Sequence, residues 1–246
     1  MKKLISGLLL AGLLAAPMAA SAFVLGPTSP GKWGSPTMGT GATVTYSFMP
    51  TGTSCAAEAV GCTATALGAF GPAFSVWHSE IVAALAGWSA VANITFTEVA
   101  DDGNAEGGAA GLEGNLRFGG HVFDGPFGVL AHGFYPPSNG ASFAGDIHFD
   151  IAENWKSGFG GPGFSIFQVA AHEIGHAIGL DHTGVPASLM NPFYTEVFSG
   201  VQADDIAGAV FIYGPAAQAV PEPASLALLG LALGAVVVFA RRRKQV

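Results

Sequence analysis

Residues 171–182 read AHEIGHAIGLDH, which places three of the chain's seven histidines and one glutamate between His172 and His182. The apolar spacing of Phe167, Val169, Ala170, Ile174, Ala177 and Ile178 predicts a helix over Phe164 to Leu180. On such a helix His172 and His176 stand four apart, on one face and one turn from each other, so both imidazoles can reach one ion. Gly179 can end the helix with a positive φ, letting His182 approach from another direction. Three neutral nitrogens leave a fourth coordination position for water, the layout of a catalytic zinc rather than a structural one. Glu173 adjoins the first ligand and is the candidate general base for that water. A bare H-E-x-x-H arises by chance; the extended H-E-x-x-H-x-x-G-x-x-H fixes five positions and is far rarer.

The 246 residues suffice for one well-buried domain with terminal segments, and 36 glycines point to a loop-rich body. The net charge of −8 hides an asymmetry, because six of nine basic residues sit at the two ends. Between the ends, Lys32, Arg117 and Lys156 face sixteen acids, a balance of −13 that repels phosphate backbones and argues against nucleic-acid binding. Lys2 and Lys3, an apolar run and Ala20-Ser21-Ala22 form the three parts of a secretory signal peptide over residues 1–22. Export permits a disulfide. Cys55 and Cys62, the only cysteines, are read as a local Cys55–Cys62 clip in a small-residue loop; a thiolate zinc site there lacks further ligands nearby.

The last residues, 220–246, change character. Val220-Pro221-Glu222-Pro223 breaks any helix, about seventeen apolar residues follow, and Arg241 to Lys244 close the chain with positive charge. This order resembles the PEP-CTERM sorting tail of Gram-negative bacteria. The resemblance implies recognition by an exosortase-type enzyme, a transmembrane helix before processing, and delivery to the cell surface or extracellular matrix.

Eight residues past His182 begins the run Met190-Asn191-Pro192-Phe193-Tyr194. HEIGHAIGLDHT followed by ASLMNPFY resembles the matrixins, the matrix metalloproteinase family of the metzincin clan. GWSAVANITFTEV, FDGPFGVLAHGFYPP, AGDIHFDIAENW and VQADDIAGAVFIYGP extend the likeness from Lys32 to Pro215, within a body of residues 23–219. The resemblance implies an α+β metzincin fold with a twisted, mixed five-stranded sheet and about three helices. It makes His172, His176 and His182 the catalytic zinc ligands, Glu173 the base and Met190 the residue beneath the metal. Leu130 and Ala131 would lie on the edge strand that pairs with an extended protein or peptide substrate, and Pro192 and Tyr194 would wall the pocket after the scissile bond. Asp124, Asp150 and Glu153, with the carbonyls of Gly125, Phe127 and Val129, match the family's calcium ligands, a hard-oxygen set that suits that ion.

Two departures stand out. The family's structural zinc begins with a His-x-Asp pair before Phe-Asp-Gly-Pro; here RFGGHVFDGP lacks it. His132 and His148 match the other two ligands and His121 can substitute, leaving three histidines for a second zinc without an evident fourth ligand. No propeptide cysteine precedes the body, so the family's latency switch is expected to be missing. The leading reading is a secreted zinc endopeptidase. A surface or matrix binding module with little peptidase activity is the alternative, against which Glu173 argues because a binder needs no base. A hydrolase acting on non-peptide bonds is a third, which spacing alone does not exclude.

Overall fold

The computed structural model describes residues 22–217 apart from 57, 105–113 and 138–142. The expected signal peptide, apart from its last residue Ala22, and the sorting tail lie outside the described residues. In chain order the elements are β1 (Val24–Leu25), β2 (Ala42–Phe48), α1 (Phe74–Val91), β3 (Ile94–Glu98), β4 (Leu116–His121), β5 (Ala131–Gly133), β6 (Asp146–Asp150), β7 (Trp155–Lys156), β8 (Phe164–Ser165), α2 (Ile166–Ala177), β9 (Leu180–Asp181) and α3 (Ala203–Tyr213).

The main sheet has the order β3-β2-β4-β6-β5. Its first four strands run parallel, and β5 alone is antiparallel to its neighbour. The mixed five-stranded sheet and three helices agree with the expected α+β architecture. A parallel sheet buries both faces, and all of β4 and β6 is buried here. Fully buried Trp77 and Trp88 on α1, Phe118 on β4, Phe149 on β6 and Tyr213 on α3 fill the space between sheet and helices. Trp88 also donates its indole N–H to the Ala171 carbonyl at 3.0 Å, tying α1 to α2. Trp33 does the same for Ala177 at 2.7 Å, satisfying a carbonyl that the end of α2 would leave unpaired.

One corner of the core is ionic. Arg117 meets Asp101 with two bonds, at 2.9 and 2.8 Å, and Ser47 donates to the same carboxylate at 2.7 Å. Burial pushes the Asp101 carboxyl up, but Arg117, Ser47 and the Gly103 amide together hold it below the usual carboxylate range.

The expected helix over Phe164 to Leu180 is shorter at both ends. Phe164–Ser165 pairs with Trp155–Lys156, and Ser165 caps α2 by accepting from Gln168. At the other end Gly179 takes φ +112°, so Leu180 leaves the helix and pairs with Leu25. Within the described residues no helix is long and apolar enough to cross a membrane.

Candidate active site

Helix α2 and strand β9 bring His172, His176 and His182 to one point. The Nε2 atom of His182 lies 3.1 Å from that of His172 and 3.2 Å from that of His176. A tetrahedral zinc with Zn–N near ~2.0–2.1 Å sets its ligand atoms roughly 3.3 Å apart, so the spacing fits that ion. The far side of two rings is fixed. His172 donates from Nδ1 to the Leu189 carbonyl at 2.7 Å, and His176 donates to the Leu180 carbonyl at 2.8 Å. Carbonyls only accept, so the protons sit on Nδ1 and the Nε2 lone pairs face inward. Burial lowers both rings, His172 to about 3 and His176 to about 4, which keeps them in the neutral form that binds metal. His182 is exposed, at the mouth of the cleft.

Glu173 is 6% exposed and is pushed up to about 8 by burial, partly offset by the Gly133 amide facing its carboxylate. A dication on the adjacent histidines acts in the opposite sense. Strand β5 lies so close to α2 here that a Cβ on Gly133 would stand 2.5 Å from the Glu173 carbonyl oxygen. Tyr135, which the sequence did not single out, donates to Asp181 at 2.8 Å and sets its ring edge-on to His176, with centroids 5.5 Å apart. Asp181 in turn accepts the His182 amide at 2.7 Å, which fixes the backbone of His182.

Met190 packs under this helix. A Cβ on Gly175 would meet its sulfur at 2.3 Å and Trp88 at 3.1 Å, so any side chain there forces Met190 to shift. The turn carrying Met190 hangs on Asp205 of α3, another residue the sequence reading missed. Its carboxylate accepts the Leu189 amide at 2.8 Å, the Met190 amide at 3.1 Å, the Gln202 amide at 2.8 Å and the Ser188 hydroxyl. Asp205 is 1% exposed and closes a capping box with Gln202. The acid pair at the start of VQADDIAGAVF signals a helix start, not this anchoring role.

Beside the histidines opens a pocket of about 420 Å³, lined by Leu130, Ala131, Val169, Pro192, Tyr194 and Phe198 among others. Ala131 begins β5, the end strand of the sheet; Leu130 just precedes it, its carbonyl accepting from Asp150 at 2.8 Å. Tyr194 is held as a wall by the Ser165 amide, 2.8 Å from its hydroxyl, and by its own bond to Glu196.

The expected calcium residues lie on the loop between β4 and β5 and at the end of β6. Asp124 accepts the Val129 amide at 3.1 and 3.2 Å, and Glu153 accepts the Phe127 amide. Gly125 and Phe127 both have positive φ, at 90° and 69°. Asp150 is fully buried; its Oδ1 accepts from Ala152 at 2.8 Å, while Oδ2 has no hydrogen-bond partner among the described residues.

His121, His132 and His148 also converge, and a fourth group that sequence reasoning missed joins them. Glu58 lies 2.7 Å from His121, 3.1 Å from His132 and 2.7 Å from His148. Cys55 and Cys62 form a disulfide across the neck of its loop, with Cα atoms 4.9 Å apart. The remaining histidine, His78, pairs with Glu98 on the surface at 2.9 Å.

Comparison with known proteins agrees with this geometry. Residues 73–214 match the family model of Matrixin, more than half of the chain. The chain belongs to the matrixin family. Among curated relatives, karilysin of Tannerella forsythia is 39% identical over 137 residues, 56% of this chain and 28% of its own length. Stromelysin-3 of Xenopus laevis is 42% identical over 147 residues, 58% of this chain and 29% of its own. Interstitial collagenase of Bos taurus is 44% identical over 131 residues, 52% of this chain and 26% of its own. The matrixin region thus spans under a third of each relative's length. Residues 219–244 match the PEP-CTERM protein-sorting motif.

Proposed function

We propose that this matrixin is an exported, zinc-dependent endopeptidase sorted to the cell surface. The observation that carries the reading is the convergence of three histidine Nε2 atoms beside a buried carboxylate and the end strand of the sheet. His172, His176 and His182 would hold the zinc. When bound, that ion polarises a substrate carbonyl and brings the pKa of its water to about 7. Glu173 would be the group that accepts a proton from the attacking water and returns it to the leaving amine. An extended substrate lies along β5, where Ala131 offers backbone bonds, and the side chain after the scissile bond enters the pocket between Pro192 and Tyr194. Exposed Phe127, Val129 and Phe193 give the cleft an apolar rim suited to an unfolded chain.

The expected calcium ion would be held by Asp124, Asp150 and Glu153 with the loop carbonyls of Gly125, Phe127 and Val129. The buried, unbonded Asp150 Oδ2 supports a cation there. The C-terminal motif supports recognition by an exosortase-type enzyme, with the apolar segment of the tail long enough to cross the membrane before processing.

The test is hydrolysis of unfolded casein by the zinc-loaded chain beside Glu173→Ala. The variant should keep its zinc and fold and lose turnover by about 10³–10⁴-fold, the scale of a general base. Residual hydrolysis above a tenth of the parent rate would remove Glu173 from the mechanism. No cleavage by the parent itself would favour a binding module on the same fold.

A further inference from the structure

We infer that Glu58 is the fourth ligand of a second, closed zinc site with His121, His132 and His148, and that the Cys55–Cys62 disulfide positions it. The site shares no residue with the helix cluster. Strand β4 supplies His121, the edge strand β5 supplies His132 and the strand between them in the sheet, β6, supplies His148. The four donor atoms lie within 4.8 Å of one another. His132 and His148 approach to 3.2 Å, nitrogen to nitrogen, and one Glu58 oxygen is 2.7 Å from His148 and 3.1 Å from His132.

The donor geometry suits an ion. His121 donates from Nδ1 to the Val122 carbonyl at 2.9 Å, so in its neutral form Nε2 presents a lone pair. That lone pair faces a Glu58 oxygen at 2.7 Å, acceptor against acceptor. A dication satisfies all four groups with every imidazole neutral, and three nitrogens with one carboxylate oxygen suit tetrahedral zinc. Phe123 closes the site on one side, stacked on His132 at 4.6 Å and edge-on to His121 at 4.3 Å. Four protein ligands leave no position for substrate water, so the site is structural.

The loop that brings Glu58 is held at its neck, where Ser54 and Thr63 bridge and the Cys55 amide donates to the Cys62 carbonyl at 3.2 Å. Ala56, Ala59, Val60 and Gly61 are exposed, while Cys55 is buried. The disulfide closes the neck, and the Glu58 and Ala59 amides turn onto the Cys55 carbonyl at 3.0 and 3.2 Å. Closing the loop covalently removes chain entropy that an open loop must lose when Glu58 binds. Zinc retention at this site is thereby linked to cysteine oxidation, which export allows.

The experiment counts zinc on the full chain loaded with zinc alone and then challenged with a graded chelator. The parent should retain two ions and His176→Ala one. In the His176→Ala background, Glu58→Gln should weaken that remaining ion by at least about 100-fold, and Glu58→His, which supplies a nitrogen instead, should restore it; circular dichroism checks that each variant folds. A phosphine reductant, whose phosphorus takes the oxygen of water while the two sulfurs take two electrons and two protons, should weaken it by about 10-fold or more. Cobalt in the His176→Ala chain should give the absorption of a four-coordinate ion. One ion in the parent, lost in His176→Ala, would overturn the second site and leave the peptidase proposal standing. Equal retention with Glu58→Gln would overturn Glu58 as ligand, and equal retention after reduction would overturn the link to the disulfide.

Discussion

The two histidine clusters use the same side chain to opposite ends. His172, His176 and His182 come from one helix and the strand after it, and their fourth direction opens into the pocket. Glu58, His121, His132 and His148 come from three strands and a distant loop, up to 90 residues apart, and the fourth direction is filled by a carboxylate. A short helical spacing leaves a metal an open face with a base beside it. A long-range cluster ties elements together and leaves no room for chemistry. Substitutions in the first should therefore be read in turnover, and those in the second in stability.

The largest expected effect is that of His176→Ala. Peptide turnover should fall by at least about 10⁴-fold, because free water replaces metal-activated water. Its melting temperature should fall less than that of His148→Ala, the mirror experiment. If zinc at about a thousand times its Kd adds about 4 kcal/mol of stability, removing a ligand in the closed cluster should cost roughly 8–16 °C. Calorimetry with and without zinc measures this, and cleavage per folded molecule should stay within about threefold. A large loss of turnover in His148→Ala with an unchanged melting temperature would reverse the assignment of the two clusters.

Asp101→Asn sharpens the contrast by showing what a buried charge contributes without a metal. Breaking the pair with Arg117 should cost about 3–5 kcal/mol. Because the folded carboxyl lies below its unfolded value, its stabilisation is full above about pH 4 and fades as pH falls through the folded value. The parent should therefore lose stability on acidification more steeply than Asp101→Asn, as urea titrations at stepped pH would record.

Asp205→Ala should cost about 2–4 kcal/mol, from a lost helix cap and stranded amides in the Met190 turn. Unlike His148→Ala and Asp101→Asn it should also lower turnover, since that turn underlies the open cluster. Gly175→Ala should have the smallest effect, about 1–3 kcal/mol of overpacking against Met190 and Trp88, measured by thermal unfolding.

Legibility in the sequence follows the same division. The convergence of the helix cluster could be read because helical geometry fixes the relation between positions four apart, and Gly179 announced the turn that its φ of +112° makes. The paired β7 and β8 strands, two residues each, carry too little pattern to be seen, so the helix was expected to start early. Glu58 escaped notice because nothing in the spacing links it to His121, His132 and His148; sheet topology alone makes them neighbours. The Cys55–Cys62 clip was legible, but which side chain it presents was not. Asp205 was visible only as an acid at a helix start, since its bonds reach back to the Met190 turn from a separate element.

The central claim is that the open cluster is a working metal-dependent peptidase centre. The most direct measurement strips metal from the full chain with a chelator, removes the chelator, and follows casein cleavage as zinc is returned, with zinc counted at each point. The account predicts no cleavage in stripped protein, recovery as the His172, His176 and His182 site fills, and no recovery in His176→Ala. Undiminished cleavage by a chain holding no zinc would contradict it.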